Sequence, residues 1–218
     1  MTDKELISKI AALVSEQFEN EGSGHDWWHI YRVWQLAKHI ARQEKNVDIG
    51  VVELGALLHD IADFKFHGGD LLAGPKAATK LLMSLNAPRS TIDSVAHIVE
   101  NVSFKGAGET DLMQSQEGKI VQDADRLDAI GAIGIARAFA YGGSIGRLLY
   151  NPDVKPELHQ TFKAYAGNKS PTINHFYEKL LLLKDRMNTS TAIAMAAQRH
   201  RFMEDYLREF YAEWEGKI

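Results

Sequence analysis

Apolar residues recur at intervals of three and four along most of this chain, the spacing that lines one face of a helix, and no apolar/polar alternation lasts long enough to argue for a strand. Thr2 opens a first helix with Leu6, Ile10, Leu13, Val14 and Phe18 in a stripe, closed by a Glu-Gly-Ser-Gly run. A second helix is expected from Asp26 to Gln43, where Ile30, Val33, Trp34, Ala37, Ile40 and Ala41 mark the pattern and His29 falls on the inward side. A third runs from about Asp48 to Phe64 with Leu54, Leu57, Leu58 and Ile61 inward, and the paired glycines make Phe66 to Asp70 a loop. Pro75 starts a fourth, which ends near Asn86 to Pro88. Ser90 and Asp93 have the spacing of a capping box and open a fifth, with Ile92, Val95, Ala96 and Val99 inward and a polar row of Asp93, His97 and Asn101 on its other side.

Ser103 to Glu117 is aperiodic and contains glycine, so it reads as a loop carrying Lys105. Gly118 to Tyr141 reads as one long helix, in which Gly131 and Gly134 each cost about 1 kcal/mol relative to Ala and permit close approach of a neighbour. Gly142 to Ser170 is a long connection, with a short helix around Pro156 to Ala166, suited to a flap or an oligomer contact. Ile173 to Trp214 gives two long helical patterns broken around Asn188 to Ser190. The expectation is an all-α, single-domain helical bundle over residues 1–218, with a core at about 24–134 and a C-terminal helical annex at about 142–218.

Polar residues interrupt this pattern where they are most costly. In LGALLHDIADFKF, residues 54 to 66, His59, Asp60 and Asp63 sit among core leucines, and Asp123, Asp125 and Asp128 lie among the apolar residues of a later helix. A carboxylate in apolar surroundings needs a hydrogen-bonded partner, a metal or a raised pKa. On a continuous helix His59 and Asp63 share a face and Asp60 lies about 100° round, so His59 and Asp60 reach one ion only if it lodges at the edge between them, with further ligands from other helices. His29, His59, Asp60 and Asp125 all lie on apolar helices and are all ligand types. Two imidazoles and two carboxylates suit Mn, Mg, Ni, Fe or Zn rather than Ca.

Composition narrows the chemistry. There is no cysteine, which excludes disulfides, thiolate zinc sites and cysteine nucleophiles. The formal net charge of -4 leaves no basic footprint for nucleic acid or an anionic membrane. No segment approaches about 18 consecutive apolar residues, and the N-terminus lacks the features of a signal peptide, so a cytoplasmic protein is expected.

The stretches GHDWWHIYRVWQLA around His29, LLHDIADF around His59 and Asp60, and VQDADRLDAIGAIG around Asp125 resemble the HD-domain metal-dependent phosphohydrolases. ENVSFKG, ARAFAYGG and NHFYEKLLLLKDRMNT extend the likeness over nearly the whole chain, to the small stand-alone bacterial branch. The resemblance implies one divalent ion held by His29, His59, Asp60 and Asp125, and a nucleotide as small-molecule substrate. The lysine that many two-metal members carry three residues beyond the doublet is absent here, which favours one metal.

Within that frame Asp63 is a candidate to orient or deprotonate water, against a plain salt bridge with Lys65 or Arg32. Lys105 is a candidate catalytic cation, while Lys65, Arg126, His97 and Asn101 are candidates for substrate binding. Asp26 is read as an N-cap, and Trp27, Trp28, Tyr31 and Trp34 as core or lid. The favoured reaction is a nucleoside triphosphate split to monophosphate and pyrophosphate. A nucleoside monophosphate phosphatase and a non-catalytic metal-containing nucleotide sensor stay open, as does a homodimer.

Overall fold

The computed structural model describes residues 2–19, 26–62, 70, 72–104, 111–158 and 170–218. Those residues are all-α: α1 (Asp3–Gln17), α2 (Trp27–Ala41), α3 (Ile49–Leu58), α4 (Ala73–Ser84), α5 (Arg89–Asn101), α6 (Gln116–Asp128), α7 (Gly131–Ser144), α8 (Thr172–Glu178), a 3₁₀ helix (Leu180–Arg186) and α9 (Ser190–Trp214). Among them, no helix is long and apolar enough to cross a membrane. Packing groups them into two compact units, the first ending at Asp125 and the second beginning at Arg126.

In the first unit α3 is the central helix. It is buried nearly all round, with Val52, Ala56, Leu57 and Leu58 fully inside, and α1, α2 and α5 pack on it. Gly55 lets α5 and α6 approach, since a Cβ there would meet Ile98 at 3.1 Å and Val121 at 3.4 Å. Side chains fix the starts of the helices. Thr2 and Glu5 form a reciprocal capping box on α1, Asp26 accepts from the His29 backbone N–H at 2.8 Å, and Asp48 accepts from Val51 N–H at 3.1 Å. Trp34 on α2 donates to Glu53 on α3 at 2.8 Å.

Several expected boundaries differ. The helix expected to continue to Phe64 stops at Leu58, because the His59 ring takes the Ala56 carbonyl at 2.8 Å and Ile61 N–H tightens onto Leu58 O at 3.1 Å. Ser90 is not a cap: α5 begins at Arg89 after the extended Pro88, and Asp93 pairs with Arg89 at 3.0 Å instead of reaching back to the backbone. On the inward side of α5 it is Ile98, rather than Ala96, that is fully buried. Leu13, expected in the stripe of α1, is 39% exposed.

In the second unit α9 packs on α7 and the 3₁₀ helix, and α8 packs on the 3₁₀ helix and α7. Phe176 is fully buried and stacks on Tyr206 with centroids 5.8 Å apart. The first of the two helical patterns expected after Ile173 is a short α-helix followed by a 3₁₀ turn, with Leu180 and Leu183 buried. The helix expected over Gly118 to Tyr141 is two helices. Ile130 is extended and Gly131 has φ +77°, a conformation that costs an L side chain about 1–2 kcal/mol. The close neighbour of Gly134 is the backbone of that break: a Cβ there would sit 2.2 Å from the Ala129 carbonyl oxygen.

Candidate metal centre

Three helix ends bring the centre together. His29 occupies the first turn of α2, where the Asp26 cap fixes its backbone, and its side chain is buried on the apolar face with Ile30 and Val33. His59 caps the C-terminus of α3, with Asp60 next to it in the tightened turn. Asp125 lies in the last turn of α6, after the fully buried Val121 and Ala124.

The four side chains meet at short range. His29 Nε2 is 3.1 Å from His59 Nε2, 3.4 Å from Asp60 Oδ2 and 3.6 Å from Asp125 Oδ1. His59 Nε2 is 3.5 Å from Asp60 Oδ2 and 3.9 Å from Asp125 Oδ1. Donor atoms about 2.1 Å from a shared ion lie about 3.0 Å apart at right angles and about 3.4 Å apart at the tetrahedral angle. Two of the five separations lie in that range and three are longer, up to 3.9 Å. His29, His59 and Asp125 each offer one donor atom within 4.8 Å of the others, so these three can share a single divalent ion, with Asp60 beside the two imidazoles. Termination of α3 at Leu58 is what moves Asp60 off the 100° offset of a continuous helix and lets its carboxylate reach the atoms that His59 reaches.

The protonation pattern agrees. The Ala56 carbonyl can only accept, so the His59 hydrogen sits on Nδ1 and the bare Nε2 of the neutral ring points into the centre. With two neutral imidazoles and two carboxylates the set carries a charge of -2 in largely apolar surroundings, which a divalent cation neutralises. Exposure is graded across it: both histidine side chains are 1% exposed, Asp60 11% and Asp125 27%. Asp125 is thus the most exposed of the four side chains. The Ala56 carbonyl was not among the residues picked out above, because a backbone acceptor leaves no mark in the sequence.

The other candidates are placed differently. Asn101, almost buried, donates through Nδ2 to the His97 carbonyl at 2.9 Å and to His97 Nδ1 at 3.3 Å, so the neutral His97 ring keeps its hydrogen on Nε2. Gln122 joins the end of α5 to the approach to α6, donating to Asn101 O at 3.2 Å and to Asp111 at 3.1 Å. Arg126 is 4% exposed and donates to the Arg186 carbonyl, an anchoring geometry rather than that of a cation held out to a substrate. Asp128 pairs with Arg137 at 3.0 Å. Asp63, Lys65 and Lys105 lie outside the described residues.

Comparison with known proteins places this geometry. The HD domain family model matches residues 27–130, which contain all four donors. The chain is 38% identical to Bacillus subtilis protein YpgQ over 99% of its own length and 97% of that protein's. Among solved structures, a protein from Lactobacillus plantarum superposes with a TM-score of 0.87 at 36% identity, covering 99% of this chain and 100% of that one. An HD-superfamily hydrolase from Bacillus thuringiensis gives 0.74 at 42% identity, over 98% and 99%. YpgQ in complex with ADP gives 0.73 at 38% identity, over 95% and 97%. On matches of this identity and coverage, the chain belongs to the HD-domain family of hydrolases.

Proposed function

We propose that this protein is a metal-dependent phosphohydrolase that uses one divalent ion, held by His29, His59, Asp60 and Asp125, to split a nucleoside triphosphate into monophosphate and pyrophosphate. The observation that carries it is the convergence of four neutral or anionic donors within 3.1–3.9 Å of the imidazole nitrogens, buried on the histidine side and open at Asp125. A divalent ion in such a set supplies Lewis acidity toward a phosphoryl oxygen and promotes ionisation of water near neutral pH, chemistry the chain cannot draw from cysteine. The ADP complex of YpgQ supports a nucleotide as the ligand.

In the proposed reaction water attacks the α phosphorus, the bond from that phosphorus to the α,β-bridging oxygen breaks, and pyrophosphate leaves with that oxygen. On its position in the sequence, Asp63 is assigned to orient the water and take its proton. Lys105 and Lys65 are assigned to offset phosphate charge. His97, with its ring orientation set by Asn101, offers an Nε2–H donor to a phosphate oxygen. The buried geometry of Arg126 supports an anchoring role for it instead.

The test is incubation of metal-stripped protein with a panel of nucleoside mono- and triphosphates, with and without Mn, Mg, Ni or Zn, followed by chromatographic identification of products. Metal-dependent monophosphate plus pyrophosphate is expected. Release of nucleoside and inorganic phosphate would replace this reading by a phosphomonoesterase, and saturable nucleotide binding with no product under any metal would make the protein a sensor.

A further inference from the structure

The second unit contains a groove of about 600 Å³ beside the start of α7, none of whose lining residues is a metal ligand. That volume falls within the range of about 300–1,000 Å³ usual for small-molecule sites. Its apolar lining comes from Ile130, Ile133, Met195 and Phe202, and two of these are large side chains left in water, Ile133 at 45% and Phe202 at 51% exposure. Two guanidinium groups, Arg199 and Arg201, complete the lining that matters here.

Arg199 is held in place. Its stem lies over Gly131, where a Cβ would come within 3.0 Å of it, and Nη1 donates to the Leu127 carbonyl. Burial pushes its pKa down and the Asp128 carboxylate opposes that shift, yet a guanidinium stays protonated in proteins. The one carboxylate lining the groove, Asp205, is engaged by Arg208 at 2.9 Å. The groove therefore combines apolar walls, an exposed phenyl ring and an excess of positive charge. We propose that it binds a small organic anion with an aromatic body, of the size of a nucleoside monophosphate, through Arg201 and Arg199 at the anionic group and Phe202 and Ile133 at the ring.

The experiment is methyl NMR of the full chain, with signals assigned for Ile133 and Met195, titrated with adenosine monophosphate in the presence of a chelator. Saturable shifts of both methyls are expected. Adenosine alone and inorganic phosphate alone should each bind at least about tenfold more weakly, and Arg201→Glu, which removes a charge-assisted contact, and Phe202→Ala, which removes an aromatic one, should each cost about tenfold in Kd. Three results would overturn the proposal: no shift at either methyl, full binding retained by both variants, or methyl shifts that follow protein dilution without ligand, which would mean that a second copy of the chain covers the groove. Because the chelator removes divalent ions, none of these outcomes depends on whether the metal centre is catalytic.

Discussion

Asp60→Asn separates a metal ligand from a structural polar residue, because it keeps the shape of the side chain while removing its charge. In the folded protein Asp60 Oδ2 lies 3.4 Å and 3.5 Å from the two imidazole nitrogens, so it forms an edge of the donor set with each of them. The substitution lowers the charge of that set from -2 to -1. Changes one shell out from a metal cost about 10–100-fold in affinity, so exchanging a ligand carboxylate for an amide should cost at least about 100-fold. At a metal concentration 100 times the wild-type Kd, binding stabilises the folded protein by about 2.7 kcal/mol, and for the variant at the same concentration by about 0.4 kcal/mol.

For a chain of this size the metal-induced rise in Tm should fall from about 5–10 °C to about 1–2 °C, read by calorimetry with and without the ion and paired with metal content by mass spectrometry. In chelator the two proteins should differ by less than about 2 kcal/mol, because the part of the loss that comes from metal binding appears only when the ion is present. A variant with an undiminished metal-induced shift would refute the ligand assignment. One that loses more than about 2 kcal/mol in chelator would show that Asp60 is held by structural hydrogen bonds instead.

Gly134→Ala should destabilise by more than about 2 kcal/mol in denaturant titration, since the added methyl meets a backbone carbonyl at 2.2 Å that cannot rotate away; a neutral outcome would mean that the turn at Ala129 shifts freely. Lys105→Ala should lower kcat/KM for triphosphates about tenfold or more, whereas an unchanged value would return it to the surface charges. At alkaline pH, burial and the hydrogen bond shared with Tyr177 push the Tyr211 phenol above its ordinary range, and burial with Glu213 raises Tyr206. The unfolded chain then loses its protons first, so stability is full below about pH 10 and declines as pH rises past it. Tyr211→Phe should flatten that decline in unfolding titrations between pH 9 and about 11, and an identical slope would count against the burial of the phenol.

The sequence pattern announced helices and their starts better than their ends. Thr2, Asp26 and Asp48 each cap a helix with a bond made inside three residues, so the signal and the structure lie in the same short window. Ends depend on competition that composition does not reveal. His59 terminates α3 by capturing a carbonyl, and nothing in LLHD distinguishes that from a histidine continuing the helix. Gly131 looks like a tolerated helical glycine until Ile130 before it turns out to be extended. The candidate donors stood out because His59, Asp60 and Asp125 lie among apolar residues and His29 on an inward helix face, whereas the groove beside α7 did not, since Ile133 reads as a core residue on a helix expected to run through Gly131.

The placement of all four donors at helix ends has a physical rationale that joins fold to function. Mid-helix, a side chain leaves the axis in a direction dictated by its neighbours, and His59 and Asp60 would point about 100° apart. At a C-cap the backbone is free to tighten, and two consecutive residues converge on the same space while the imidazole satisfies a carbonyl that the helix would otherwise leave open. The Asp26 cap does the equivalent at the start of α2, fixing the turn that carries His29. The devices that end these helices thus also set where these four candidate side chains point. It follows that the centre can be loosened from outside the donor set: Asp26→Ala should weaken metal binding along with the roughly 1 kcal/mol lost with the cap, and a variant that loses stability with its metal affinity intact would uncouple the two.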